Sequence, residues 1–112
     1  MGDRVDDVFV ALADPSRRHL VERLAARGAS TPTELSAELP VTRQAVAKHL
    51  ATLEAAGLVQ RSREGRNTVV RFDPTPLEEA GAWLARVGAQ WDMRLAALAE
   101  HVSRPRGRET SR

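Results

Sequence analysis

Residues 42–58, TRQAVAKHLATLEAAGL, constrain this chain more than any other stretch, because they read as one complete amphipathic helix. Thr42 follows Pro40-Val41 and offers its hydroxyl to an orphan backbone N–H, which supplies an N-cap. Val46, Leu50 and Leu53 recur at i, i+4 and i+7 and so share one buried stripe. Gly57 is the expected left-handed stop, and Leu58-Val59 begin an extended segment. Opposite the stripe stand Gln44 and Lys48, with the small Ala47 and Ala51 beside them. A face with long polar tips near its start and little bulk behind can lie close against a second surface. A DNA major groove is the obvious one. Taken alone, an ordinary solvated helix face looks the same.

The rest of the chain decides between those readings. At 112 residues it makes one domain with a modest core. Apolar residues at 42% exclude a disordered chain, yet aromatics are only 4%, so long helices must pack through Leu, Val and Ala. A partner subunit can complete such packing. The absence of cysteine removes disulfides, thiolate metal sites and cysteine nucleophiles together. No apolar run approaches the roughly 20 residues of a membrane span, and nothing reads as a signal peptide, so a cytoplasmic location without membrane partners is expected. The net charge of +2 becomes informative once divided: residues 1–42 carry −2, residues 43–71 carry +4, residues 72–102 carry −3 and residues 103–112 carry +3. Positive charge gathered on the 42–58 helix, the segment after it and the tail is the footprint of a surface that faces a polyanion.

Along the chain, Asp3 can cap a first helix whose Val5, Val8, Phe9 and Leu12 form a stripe. Asp14-Pro15 restarts the chain, with Asp as N-cap and Pro at the first helical position, and this second helix runs to about Arg27, with Leu20, Val21 and Leu24 inward and Gly28 as its stop. Arg17 and Arg18 fall in its first turn, where the helix dipole disfavours cations. Either an internal acid such as Asp6 or Asp7, or a DNA phosphate, should compensate them. Thr31-Pro32-Thr33-Glu34 is a T-x-x-E capping box that opens a short helix holding Leu35 and Leu39 and stopped by Pro40. The tight connection from that helix into Thr42 is a helix-turn-helix pattern.

Residues 58–63 are extended in character, Glu64-Gly65-Arg66-Asn67 supplies a turn, and Thr68-Val69-Val70-Arg71-Phe72 returns as a second strand ending at Asp73-Pro74. This two-stranded ribbon carries Arg63, Arg66 and Asn67 at its tip and must lean on the helices, since an isolated hairpin is marginal in water. Helix-turn-helix followed by a basic hairpin is the order of a winged helix, whose wing would sit on phosphates or in a minor groove. Pro76 then opens a last helix to about Val102, on which Leu84, Val87, Trp91, Leu95, Leu98 and Val102 form one apolar stripe. So small a domain has little room to bury that stripe. A homodimer interface built from this helix and from Val5 and Phe9 of the first is the expected solution. Trp83 and Trp91, about 80° apart on the helical wheel, read as packing or interface residues, with the lining of a ligand pocket as the other reading. Residues 103–112, SRPRGRETSR, read as a disordered basic tail after a single domain over 1–102.

With those residues in view, the chain resembles the ArsR/SmtB family of bacterial winged-helix repressors. The resemblance lies in LADPSRRHL at 12–20, Glu34-Leu35, TRQAVAKHL at 42–50 running into EAAGLV at 54–59, the Gly65-Arg66 turn and WDMRLAAL at 91–98. It covers nearly the whole chain. It implies a mainly α fold with a small β-hairpin, ordered α-α-α-α-β-β-α and dimerising through its first and last helices, and a homodimer that represses a promoter until an effector binds. Metal-sensing relatives place cysteines ahead of the recognition helix, where Thr31 and Thr33 stand here. Others use Asp and His pairs on the last helix, but Asp92 and His101 are about 180° apart on the wheel, and Arg94 occupies the place where that pattern needs His. No metal or cofactor is therefore expected, and the effector is left open.

The leading expectation is a regulator of its own operon, a repressor, in which Thr42, Arg43, Gln44 and Lys48 face the groove of a palindromic double-stranded operator. Gln44 is suited to adenine and Arg43 to guanine or a phosphate. His49 lies at the edge of the apolar stripe, open to packing or to DNA contact. Arg63, Arg66 and Asn67 would position the wing, and Arg17 and Arg18 are possible phosphate contacts. A winged-helix module that binds protein and no longer reads DNA is the alternative, which the basic 43–71 segment opposes. No Gly-rich phosphate loop, paired carboxylates near a His or nucleophile constellation argues for an enzyme.

Overall fold

The computed structural model describes residues 3–103 and orders seven elements as α1 (Asp3–Ala11), α2 (Pro15–Arg27), α3 (Pro32–Glu38), α4 (Arg43–Ala55), β1 (Val59–Glu64), β2 (Asn67–Phe72) and α5 (Thr75–Ser103). This is the mainly helical architecture with one hairpin that the sequence predicts. The tail expected over 103–112 lies outside the described residues, save for Ser103 at the end of α5. The chain divides into two units, Met1–Ala80 and Gly81–Arg112.

In the first unit the local signals are met residue by residue. The Asp14 carboxylate caps α2, accepting from the backbone N–H of Ser16 at 2.7 Å and of Arg17 at 3.3 Å. Gly28 ends that helix at φ 92°, a conformation open to glycine. Thr31 and Glu34 form a reciprocal capping box on α3, and the Thr42 hydroxyl accepts from Ala45 N–H at 3.0 Å to cap α4. At the far end of α4, Gly57 N–H donates to Glu54 O and Leu58 N–H to Leu53 O, with Gly57 at φ 78°. That is the Schellman arrangement, which satisfies two orphan carbonyls and turns the chain into β1. One expectation moves: Asp3 is the first residue of α1 rather than the cap before it.

One core joins these elements. Val8 and Ala11 of α1, Leu20, Val21 and Leu24 of α2, Leu35 of α3, and Val46, Leu50 and Leu53 of α4 are buried together with Leu58, Val59, Val70 and Ala80. Each element contributes one face, as its periodicity predicts.

The hairpin is antiparallel, with Val59 opposite Phe72 and Glu64 opposite Asn67. Gly65 takes the first place in its two-residue turn at φ 66°, as hairpin turns matched to strand twist require. The sequence leaves open how the ribbon is held, and the structure answers with an isolated antiparallel bridge from Ser30 to Val70. Ser30 N–H donates to Val70 O at 3.0 Å and Val70 N–H to Ser30 O at 2.7 Å. The link between α2 and α3 is thereby stitched to β2.

The second unit is the run of α5 from Gly81. Its apolar residues are open to solvent: Leu84, Val87, Leu95 and Leu98 are all exposed, and Trp91 is 57% exposed.

Candidate nucleic-acid interface

The interface is best built from its cations, because the structure sorts them into neutralised and free. Two acids lie in the basic 43–71 segment, and each is taken by an arginine of the same segment. Arg61 pairs with Glu54 at 3.0 Å, and Arg71 with Glu64 at 2.5 Å. The remaining cations there are Arg43 and Lys48 on α4 and Arg63 and Arg66 on the hairpin, and none forms an ion pair among the described residues. The surplus of +4 thus resides on the recognition-type helix and the wing tip, and not on their shared base.

Within α4 the expected outward residues are exposed: Thr42, Arg43, Gln44 and Lys48. Among the described residues no hydrogen bond engages the side chain of Gln44 or Lys48, so both keep their full polar capacity for a partner. Arg43 is steered, since its Nη2 donates to Thr33 Oγ1 at 2.8 Å. Thr33 escapes a reading based on the α4 wheel because it lies in the preceding helix, ten residues away. On the hairpin, Arg63, Arg66 and Asn67 are exposed at or beside the turn.

Arg17, Arg18 and His49 are placed differently from a simple row of contacts. Arg17 Nε donates to Ala11 O at 2.6 Å, its Nη2 to Val10 O at 3.3 Å, and its Nη1 lies 3.4 Å from Nδ1 of the half-buried His49. Arg18 Nη1 donates to Leu12 O at 2.7 Å. The internal partner expected at Asp6 or Asp7 is not used. Both guanidiniums instead cap carbonyls at the end of α1, whose dipole is negative there, and this offsets their unfavourable position at the start of α2. Asp14 adds a carboxylate oxygen 4.0 Å from Arg17. Partial burial works against ionising Asp14, but the backbone N–H groups of Ser16 and Arg17, helped by the nearby His49 and Arg17, hold its pKa below the ordinary value. Arg18 remains exposed, whereas the Arg17 side chain is only 17% exposed.

The base beneath the interface is held by a second polar cluster. Arg23 donates to both oxygens of Glu38, at 2.6 and 3.3 Å, and to Ser30 Oγ at 3.3 Å, while Ser30 Oγ donates to Glu34 at 2.8 Å. The Ser30 hydroxyl and then the Thr31 N–H keep the Glu34 carboxyl below its usual range, and the hydrogen bond from Arg23 does the same for Glu38. Ser30, 3% exposed, is the residue whose backbone also pairs with Val70. One buried serine therefore joins α2, α3 and the wing, a role that no sequence period announces.

Among the described residues no cluster of three or more His, Asp or Glu is arranged to hold a metal ion, and no helix is long and apolar enough to cross a membrane.

Comparison with known proteins agrees with this geometry. Residues 12–61 match the model of a family described as a helix-turn-helix domain. The HTH-type transcriptional regulator YuzN of Bacillus subtilis is 40% identical over 84 residues, which cover 70% of this chain and 91% of that protein. Among solved structures, an ArsR-like transcriptional regulator from Rhodococcus superposes with a TM-score of 0.77 at 38% identity, covering 89% of this chain and 92% of its own. The homodimeric winged helix-turn-helix DNA-binding domain Mb0332 of Mycobacterium bovis, a possible ArsR-family regulator, gives a TM-score of 0.59 at 26% identity over 88% of this chain and 84% of its own.

Proposed function

The chain belongs to the ArsR family of winged helix-turn-helix regulators and is a DNA-binding transcription regulator, not an enzyme, and from that premise we propose that it is a homodimeric repressor of its own operon. The observation that carries the reading is the placement of free charge. Among the described residues Arg43, Lys48, Arg63 and Arg66 stand un-neutralised on α4 and the wing, while Arg61 and Arg71 of the same segment are paired. A module that binds only protein has no use for such a pattern.

Each protomer sets α4 into a major groove. Gln44 reads a base edge, with adenine the best geometric match for its amide, Arg43 reaches guanine or a phosphate from the register that Thr33 gives it, and Thr42 and Lys48 hold the backbone. Arg63, Arg66 and Asn67 track phosphates beside the minor groove, and Arg18 adds a further phosphate contact. The exposed stripe Leu84, Val87, Trp91, Leu95 and Leu98 supports a dimer, as does the homodimeric Mb0332 domain; of the two residues expected from the first helix, Phe9 is exposed, whereas Val5 packs against the core of its own chain. Two copies of α4 related by a two-fold axis read half-sites about 34 Å apart, hence a palindromic operator. A cytoplasmic location accompanies this role.

Binding to the promoter region of the chain's own gene, followed by gel shift across a salt series, tests the assignment. Arg66→Ala should lower the salt slope by about 1, since one phosphate contact is lost, while Gln44→Ala should relax sequence preference with the slope kept. Unchanged binding in both variants would overturn it.

A further inference from the structure

We propose that Arg17 is a positioning residue for α4, which fixes the imidazole of His49 with its proton on Nε2 so that Nε2–H faces outward as a donor to a DNA phosphate oxygen. The inference rests on the DNA-binding reading above and changes the part that two of its residues play.

Guanidinium chemistry decides the tautomer. Arginine has donors only and no acceptor, so an Arg17 Nη1 that lies 3.4 Å from Nδ1 requires a lone pair on Nδ1. The ring proton is then on Nε2. Among the described residues no buried side-chain nitrogen or oxygen lacks a partner, and no partner is present for His49 Nε2. Nε2 therefore reaches solvent. It does so from α4, at the edge of the apolar stripe and about 100° around the helix from Lys48.

Arg17 suits this work because its own position is determined from three sides. Its backbone N–H is capped by Asp14, its Nε and Nη2 are held by the carbonyls of Ala11 and Val10, and Nη1 lies 3.4 Å from His49 Nδ1 and 4.0 Å from the Asp14 carboxylate. Arg17 and Asp14 interact with His49 from the start of α2, and Lys48 precedes it on its own helix. One side chain thus links the end of α1, the start of α2 and the middle of α4. A displacement of α1 against α4 would be felt at His49 and through it at the phosphate. The two arginines of the DPSRR stretch then differ in role: Arg18 is open to a phosphate, whereas Arg17 acts on DNA through a histidine.

Two measurements on the full chain test this. Imidazole ¹⁵N–¹H long-range correlation on the free protein should show His49 with an unprotonated Nδ1 and a protonated Nε2, and Arg17→Lys or Arg17→Ala should give a mixture of tautomers. Proton on Nδ1, or a mixture already in the parent chain, overturns the proposal whatever the protein does with DNA. In salt titrations with duplex DNA, Arg17→Ala and His49→Ala should each weaken binding roughly tenfold, about the worth of one hydrogen bond to a charged group, and the double variant should be no worse than either. The slope against salt should stay unchanged in Arg17→Ala, and His49→Gln, which keeps a donor and an acceptor, should recover most of the loss. A slope lowered by about 1 in Arg17→Ala would place Arg17 itself on a phosphate and overturn the proposal, as would full binding by His49→Ala. If the parent chain bound no DNA, the phosphate role would fall with the functional reading, and the tautomer would still decide the Arg17–His49 link. A thermal melt of Arg17→Ala separates loss of fold from loss of positioning, with Arg17→Lys as the milder variant.

Discussion

Two helices of this molecule carry the same kind of apolar stripe and meet opposite fates. On α4, Val46, Leu50 and Leu53 are no more than 1% exposed, closed under α2, α3 and β1. On α5, Trp91 and Leu98 are each 57% exposed and Leu95 is 44% exposed. Both stripes obey the same period, so the difference does not lie in the helices. It lies in what the chain has left with which to cover them. Residues up to Ala80 close a core, and beyond it α5 adds about five turns of apolar surface. An apolar face of that extent marks an interaction surface. A stripe of this period marks a face suited to burial, but it does not specify what covers it.

The largest effect that would test the contrast is on the buried side. Leu50→Ala should lower unfolding free energy by about 3 kcal/mol, independently of protein concentration, as followed by circular dichroism in urea. On the exposed side, Trp91→Ala should cost about 2 kcal/mol of association, with little change in the helix content of the monomer. Sedimentation equilibrium reads it, and an oligomeric state indifferent to Trp91 and Leu95 would break the assignment of the stripe to a second copy. At the joint that frees α4 from the hairpin, Gly57→Ala should destabilise by more than about 1 kcal/mol. The residue sits at φ 78°, and an added Cβ would lie 3.2 Å from Pro76 Cγ. The smallest effect concerns pH. Glu34 has its pKa held below the ordinary 4.5 by Ser30 and Thr31, so its contribution to stability is present in full above that value and fades as pH falls below it. Glu34→Gln should therefore flatten the acid limb of a stability–pH profile and leave the neutral end nearly unchanged.

Local chemistry was the legible part. Asp14-Pro15, the Thr31–Glu34 box, Thr42 and Gly57 each announce a helix boundary, because caps act over three or four residues and need nothing distant. The outward places of Gln44 and Lys48 followed from helical geometry, and those of Thr42 and Arg43 from geometry together with the family resemblance. The acids expected for Arg17 and Arg18, Asp6 and Asp7, are not their partners: carbonyls at the end of α1 take both guanidiniums and Asp14 lies 4.0 Å from Arg17, and a helix terminus is invisible as a charge in a sequence. Thr33 beneath Arg43, and the Ser30–Val70 bridge that anchors the wing, were likewise out of reach, because each joins residues with no shared period.

The sequence by itself determined which residues form helices and strands, which faces of them are apolar, and that the positive charge gathers between residues 43 and 71. These are properties of neighbours along the chain, where spacing and capping suffice. Only the tertiary structure decided which of those cations are free, by pairing Arg61 with Glu54 and Arg71 with Glu64. It alone brought Arg17 to His49 across 32 residues. Neutralisation and hydrogen bonding depend on distances of a few ångströms between segments, and those distances exist only once the core has closed.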